Sequence, residues 1–189
     1  MTRRAFVDES YARLTSHYLM AAVVLDESAS QTVADLARGL RRRASGEFHW
    51  RHELDPSRRT MLDLIALVSD AQVVVVSKPV PARRQERARA RCTESLLAQL
   101  HVLSPPVRDV VFESRGHVLD QRDAHRVEGT RTQGRADPDL RYAFDTKAQP
   151  LLWIADAVAG AATSDLSTGT RYLERLRDRL YRVEIPGVP

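Results

Sequence analysis

Three carboxylates stand inside or at the ends of apolar runs, where an unpaired charge is costly. Asp8 closes Ala5-Phe6-Val7-Asp8, and Glu113 closes Val110-Val111-Phe112-Glu113. Asp156 interrupts Leu151-Leu152-Trp153-Ile154-Ala155-Asp156-Ala157-Val158-Ala159. An ionised carboxylate in a low-dielectric setting needs a cation, a metal ion or several donors around it. Oxygen ligands of this kind suit hard cations such as Mg²⁺ or Mn²⁺, one or two of them. Two such ions about 3.5 to 4 Å apart can activate water and stabilise the leaving oxygen of a phosphodiester. A structural reading competes, since strand-end acids also cap turns or pair with an arginine such as Arg115.

The elements that would carry these acids are readable from the pattern. Residues 4–9 read as a strand and His17 to Leu25 as its antiparallel neighbour, with Ser10 to Ser16 as the turn. Val33, Leu36, Ala37 and Leu40 recur at helical spacing, and the run Arg41-Arg42-Arg43 then falls at the helix C-terminus, where basic residues favour the dipole. Asp55-Pro56-Ser57 starts a second helix, with Met61, Leu62, Leu64, Ile65 and Val68 as its apolar positions. The β-branched run from Ala71 to Ser77 has the signature of a strand buried on both faces and is expected at the centre of the sheet.

A helix from about Arg83 to Leu103 follows, with Ala88, Cys92, Leu96, Leu100 and Leu103 on one face. Arg83, Arg84, Arg87 and Arg91 form a basic stripe on it that could track a nucleic-acid backbone or simply be solvated. Arg108 to Glu113 is the next strand. The polar segment Leu119 to Pro138 is expected to be helical in part, Leu140 to Phe144 a further strand and Pro150 to Ala162 a buried helix. Gly160 to Gly169 reads as flexible, and Arg171 to Arg182 as a last amphipathic helix with Tyr172, Leu173, Leu176 and Leu180 inward. Strands alternating with helices in this order predict an α/β fold, a mixed sheet with helices on both faces. Such sheets gather functional residues at strand ends.

Composition limits the function classes. The chain of 189 residues is 43% hydrophobic, enough for one core and a single domain, with its core over about 4–162 and the last helix over about 170–183. No apolar stretch approaches the roughly 20 residues of a membrane span, and Met1-Thr2-Arg3-Arg4 runs into a strand with no signal-peptide pattern, so the expected location is cytoplasmic. A lone Cys92 excludes an internal disulfide and a cysteine-based zinc site. A net charge of +4 leans mildly toward a polyanionic partner. Of the 29 basic residues only Lys78 and Lys147 are lysines.

Phe6-Val7-Asp8-Glu9-Ser10, Val111-Phe112-Glu113-Ser114-Arg115 and the run from Pro150 to Gly160 resemble three hallmarks of a bacterial and phage group, domain of unknown function 3800 (DUF3800). The resemblance spans residues 5 to about 162 and implies a ribonuclease H-like fold. Carried over residue by residue, it places the first-strand acid on Asp8, the later-strand acid on Glu113 and the last-helix acid on Asp156. A fourth ligand falls on Asp123, with Asp120 as the other choice. The group usually shows Asp-Glu-Ser-Gly-Asp after the first strand, whereas here Ser10 is followed by Tyr11-Ala12-Arg13. A glycine and a possible second acid are therefore missing.

Four further positions are candidates for supporting the site or touching substrate. Glu9 neighbours Asp8, but alternation along a strand sends the two side chains to opposite faces. His49, between Phe48 and Trp50, could meet a metal or a phosphate. Arg115 follows the Glu113 strand, and Lys147 precedes the last-helix motif, where it could contact a phosphate or balance Asp156. The expectation is a metal-dependent nuclease hydrolysing phosphodiesters of DNA or RNA through Asp8, Glu113 and Asp156. The alternative is a catalytically silent nucleic-acid-binding or interaction protein of the same fold.

Overall fold

Alternation and β-branching are strongest over the first 26 residues and around Val73, and these segments form the inner strands. In the computed structural model, which describes residues 2–40 and 46–188, β1 (Arg3–Ala12) and β2 (His17–Asp26) make a long antiparallel hairpin. The turn is shorter than the sequence implied, because pairing continues to Ala12 opposite His17. α1 (Ser30–Gly39) and α2 (Asp55–Val68) follow, then β3 (Ala71–Lys78), α3 (Gln85–Val102), β4 (Asp109–Glu113), α4 (His117–Thr132), β5 (Arg141–Asp145), α5 (Leu151–Thr168) and β6 (Leu180–Pro186). The arginine run Arg41-Arg42-Arg43 lies outside the described residues.

The sheet has the order β5-β4-β1-β2-β3-β6. β4 runs parallel to β1 and β5 parallel to β4, while β3 is antiparallel to β2 and parallel to β6. Helices cover both faces, as predicted. Phe6, Leu19, Ala21, Val23, Val74 and Val76 point toward α1, α2 and α5; Ala5, Val7, Met20, Ala22, Val73 and Val75 point toward α3 and α4. Cys92 belongs to the second core, and burial pushes its thiol up to about 12, as befits a packed apolar residue rather than a nucleophile. Among the described residues no helix is long and apolar enough to cross a membrane.

Three expectations are corrected. β3 is buried through Ser77 as its valines require, yet it is one strand from the edge; β1 and β2 hold the centre. The expected last helix is a 3₁₀ segment, Tyr172–Arg179, followed by β6. Tyr172, Leu173 and Leu176 are buried as predicted, but from Leu180 the backbone extends because β3 has a free edge to fill. The alternation Arg182-Val183-Glu184-Ile185 marks that strand in the sequence.

The third concerns Gly160 to Gly169, which is helical through Thr168. α5 is buried along most of its length and ends at Gly169, whose φ of 69° gives the left-handed C-terminal turn. Gly160 is a packing residue, since a Cβ there would overlap the Trp50 ring. Gly160→Ala should therefore destabilise the protein by about 1 to 3 kcal/mol, read as a lower urea midpoint together with a shifted tryptophan emission. An unchanged midpoint would mean that Trp50 is free to move aside.

Candidate active site

Parallel pairing of β1 with β4 sets Val7 beside Phe112, so the next residues, Asp8 and Glu113, stand side by side where that pairing ends. Both follow residues facing α3 and α4, and alternation turns them to the opposite face, toward α5. α5 packs under β1 and presents Asp156 from below. The three acids therefore reach one point from three elements separated widely in sequence.

That point is held by Lys147. Its Nζ lies 3.2 Å from Asp8 Oδ2, 3.1 Å from Asp156 Oδ1 and 3.5 Å from Glu113 Oε2. The lysine sits in the turn between β5 and α5. Ser114 N–H donates to Asp145 O at 2.7 Å and Trp153 Nε1–H to Lys147 O at 2.6 Å, so the turn is fastened to both β4 and α5. Asp156 Oδ2 also accepts from the backbone N–H of Trp50 at 2.7 Å. Trp50 is fixed in turn by Arg58, whose Nε donates to Trp50 O at 2.9 Å and whose guanidinium lies over the indole.

The charges do not cancel. Asp8 is 3% exposed, and its Oδ1 accepts only the neighbouring Glu9 N–H, at 2.7 Å. Oδ2 has the ammonium nearby but no donor directed along a hydrogen bond. Burial, and then contact with the Glu113 carboxyl, raise Asp8 to about 8 against the opposing pull of Lys147. Burial and the charge of Asp8 likewise lift Asp156 above the usual carboxylate range, although Lys147 and the Trp50 N–H oppose them. Burial alone would weaken the Lys147 cation, but Asp8, Asp156 and Glu113 together hold its pKa above the ordinary lysine value. One ammonium is thus shared by more negative charge than it neutralises.

The other candidates divide. Asp123 stays apart from the group; it is buried and receives Arg89 Nε at 2.9 Å and Arg115 Nη2 at 3.2 Å. Asp120 accepts from Ser114 Oγ at 2.6 Å and Arg115 N at 2.8 Å, clamping the loop between β4 and α4. Glu9 faces away from Asp8, as alternation predicts, and pairs with the buried Arg89 and at 3.9 Å with Arg115. Arg115 does not neutralise Glu113; its Nη1 binds Glu86 Oε1 at 2.6 Å. His49 lines the cleft and sits 3.5 Å from Glu47 Oε2. Arg89 was not predicted, although the spacing Arg89, Thr93, Leu96, Leu100 places it on the inward face of α3.

These groups line an open cleft of about 820 Å³. Asp8, Glu113, Asp156 and Lys147 share it with Arg13, Tyr18, Arg51, His52 and Arg58, among others. Among the described residues no three acid, histidine or cysteine side chains form a ready-made metal-holding group, and the Lys147 ammonium stands among the three acids.

No family model matches the chain, and no curated protein is significantly similar to it. The likeness to DUF3800 thus rests on its motifs. Among solved structures the chain is similar to ribonuclease H2 from Pyrococcus horikoshii OT3, with a TM-score of 0.56 and 14% identity over 94% of this chain and 77% of that one. It also aligns with a variant of Bst-RNase HIII at a TM-score of 0.46 and 15% identity, over 94% of this chain and 54% of that one. The first of these likenesses, with the mixed sheet and its covering helices, shows a ribonuclease H-like α/β fold.

The raised Asp8 pKa has a definite consequence in chelator. Between the unfolded value of 3.8 and the folded value of about 8 the folded state holds a proton that the unfolded state has lost, so stability falls as pH rises across that window. Asp8→Asn carries no such penalty. Its denaturation midpoint should approach or exceed that of the unmodified protein as pH rises from 4 toward 8 in that window. Parallel pH profiles for the two proteins would contradict the assignment.

Proposed function

We propose that this protein is a divalent-metal-dependent nuclease, with Asp8, Glu113 and Asp156 as its catalytic carboxylates. The observation that carries the reading is their convergence on one nitrogen, at 3.1 to 3.5 Å, where the β1–β4 pairing ends above α5. The donor set fits Mg²⁺ or Mn²⁺: the ligands are hard oxygens, Asp8 Oδ2 is buried without a directed donor, and one ammonium leaves negative charge to spare. Asp8, Glu113 and Asp156 would hold the ion, which supplies Lewis-acid polarisation of the phosphoryl group when bound.

The chain's own residues do the rest. The Trp50 N–H fixes one Asp156 oxygen and leaves Oδ1 turned to the shared point. Glu113, the most exposed of the three at 26% of its side chain, faces the open cleft and is placed to accept a proton from an attacking water. Lys147 is placed to meet a phosphate oxygen once the acids are otherwise neutralised. Asp123 serves as an anchor for Arg89 and Arg115 in this reading rather than as a fourth ligand.

The second reading is a nucleic-acid-binding protein without turnover, in which Lys147 permanently neutralises the acids. Its support is the ammonium already seated among them. Purified protein with Mn²⁺ or Mg²⁺ and labelled single-stranded and duplex DNA and RNA separates the two. The nuclease reading predicts metal-dependent cleavage that falls to background in Asp8→Asn and Asp156→Asn. It also predicts a Mn²⁺-dependent rise in melting temperature that both variants lose. Cleavage unchanged in both would remove the site; absence of cleavage and of metal stabilisation would favour the silent binder.

A further inference from the structure

Several arginines of the protein are already committed to carboxylates. Arg59 pairs with Asp55, Arg115 with Glu86 and Arg175 with Asp63. Arg13, Arg51 and Arg58 are different: they line the cleft itself, and among the described residues no carboxylate pairs with them. Arg13 and Arg51 are also exposed and make no side-chain hydrogen bond there. A surface that leaves guanidinium groups unpaired around an acidic floor is built for an anion that spans the floor, since the free arginines would otherwise repel one another without return.

The three come from different places. Arg13 directly follows Ala12, the last residue of β1, and so stands in the turn of the long hairpin. Arg51 belongs to the Trp50–His52 turn whose Trp50 N–H holds Asp156, and Arg58 lies on α2 and is stacked on Trp50. The acids thus lie in a cleft whose unpaired arginines come from the hairpin and from the α2 side. Arg83, Arg84 and Arg87 on the α3 side are equally exposed and unpaired with carboxylates among the described residues, yet they do not line the cleft.

We propose that Arg13, Arg51 and Arg58 bind the phosphates that flank the one placed over Asp8, Glu113 and Asp156, so that a nucleic-acid backbone crosses the cleft from the hairpin to the Trp50 turn. The arginine stripe of α3 takes no part. Only the position of the central phosphate rests on the nuclease reading; the flanking contacts are electrostatic and independent of turnover. Arginine suits this task because its planar fork can meet two phosphate oxygens at once.

The test is binding in chelator, measured by fluorescence anisotropy with a labelled DNA duplex and with one of its single strands, over a range of salt. Arg58 also supports Trp50, so the informative variant is Arg13→Ala with Arg51→Ala, which removes two exposed side chains that make no hydrogen bond or ion pair among the described residues. Each lost phosphate contact should make the slope of log K against log salt less negative by roughly 0.9 on duplex or 0.7 on single strand, with affinity near physiological salt falling roughly 10- to 30-fold for the pair. Arg84→Ala with Arg87→Ala should leave slope and affinity unchanged. The proposal is overturned if the α3 pair carries the loss, if neither pair does, or if the unmodified protein binds neither probe. Loss on the Arg13 and Arg51 pair in a protein that cleaves nothing would keep these contacts and discard the nuclease. Cleavage abolished by Asp8→Asn with binding unchanged in the Arg13 and Arg51 pair would do the reverse.

Discussion

Three carboxylates drawn from β1, β4 and α5 share a single ammonium, and much of the architecture exists to keep them there. Parallel β1 and β4 set Asp8 and Glu113 side by side where their pairing ends. The apolar length of α5 drives that helix under the sheet and carries Asp156 with it, the one charge in its buried first half. The turn after β5 then sets Lys147 among them, held through its own carbonyl by Trp153. Buried like charges repel strongly at short range, so an arrangement of this kind lowers stability unless a cation answers it.

A second charge system lies across the sheet. Glu9, one residue from Asp8, points the other way and joins Arg89, Arg115, Asp123 and Glu86 between β1, α3 and α4. The two systems are joined through the backbone, since Glu9 adjoins Asp8 and Arg115 lies two residues after Glu113. Their chemistry differs: the first sets three acids around one ammonium, while the second sets three acids against two guanidinium groups, one of them, Arg89, buried. The second system ties β1 to α3 and α4 on the face opposite the one from which Asp8 projects. Asp123, buried against Arg89, belongs to that support.

The sequence made the first system legible because its acids interrupt apolar runs, and alternation alone separated Asp8 from Glu9. It also revealed both layers of helices and the Asp8 and Glu113 strands. Lys147 could be named but not placed, because a five-residue turn has no periodicity to show where a side chain points. Arg89 was hidden by a different cause: Ala88 drew the inward face of α3, and the charge beside it reads as surface unless the spacing to Thr93 and Leu96 is followed. At the C-terminus the leucine spacing through Leu180 imitates a helix and masks the alternation from Arg182 to Ile185, which the open edge of β3 takes up as a strand. Gly160 read as slack for lack of any sign that Trp50 would lie against it.

The shared ammonium can be measured directly by a double-mutant cycle in chelator near pH 8, using Lys147→Met, Asp156→Asn and the two combined. Lys147→Met leaves the acids unanswered and should lower the denaturation midpoint. Adding Asp156→Asn removes one of the repelling charges and should restore part of that loss, giving a coupling within the range of about 0.5 to 3 kcal/mol found for contacting residues. Simple additivity of the two substitutions would show that Lys147 and Asp156 do not share a charge cluster and would contradict the site described above.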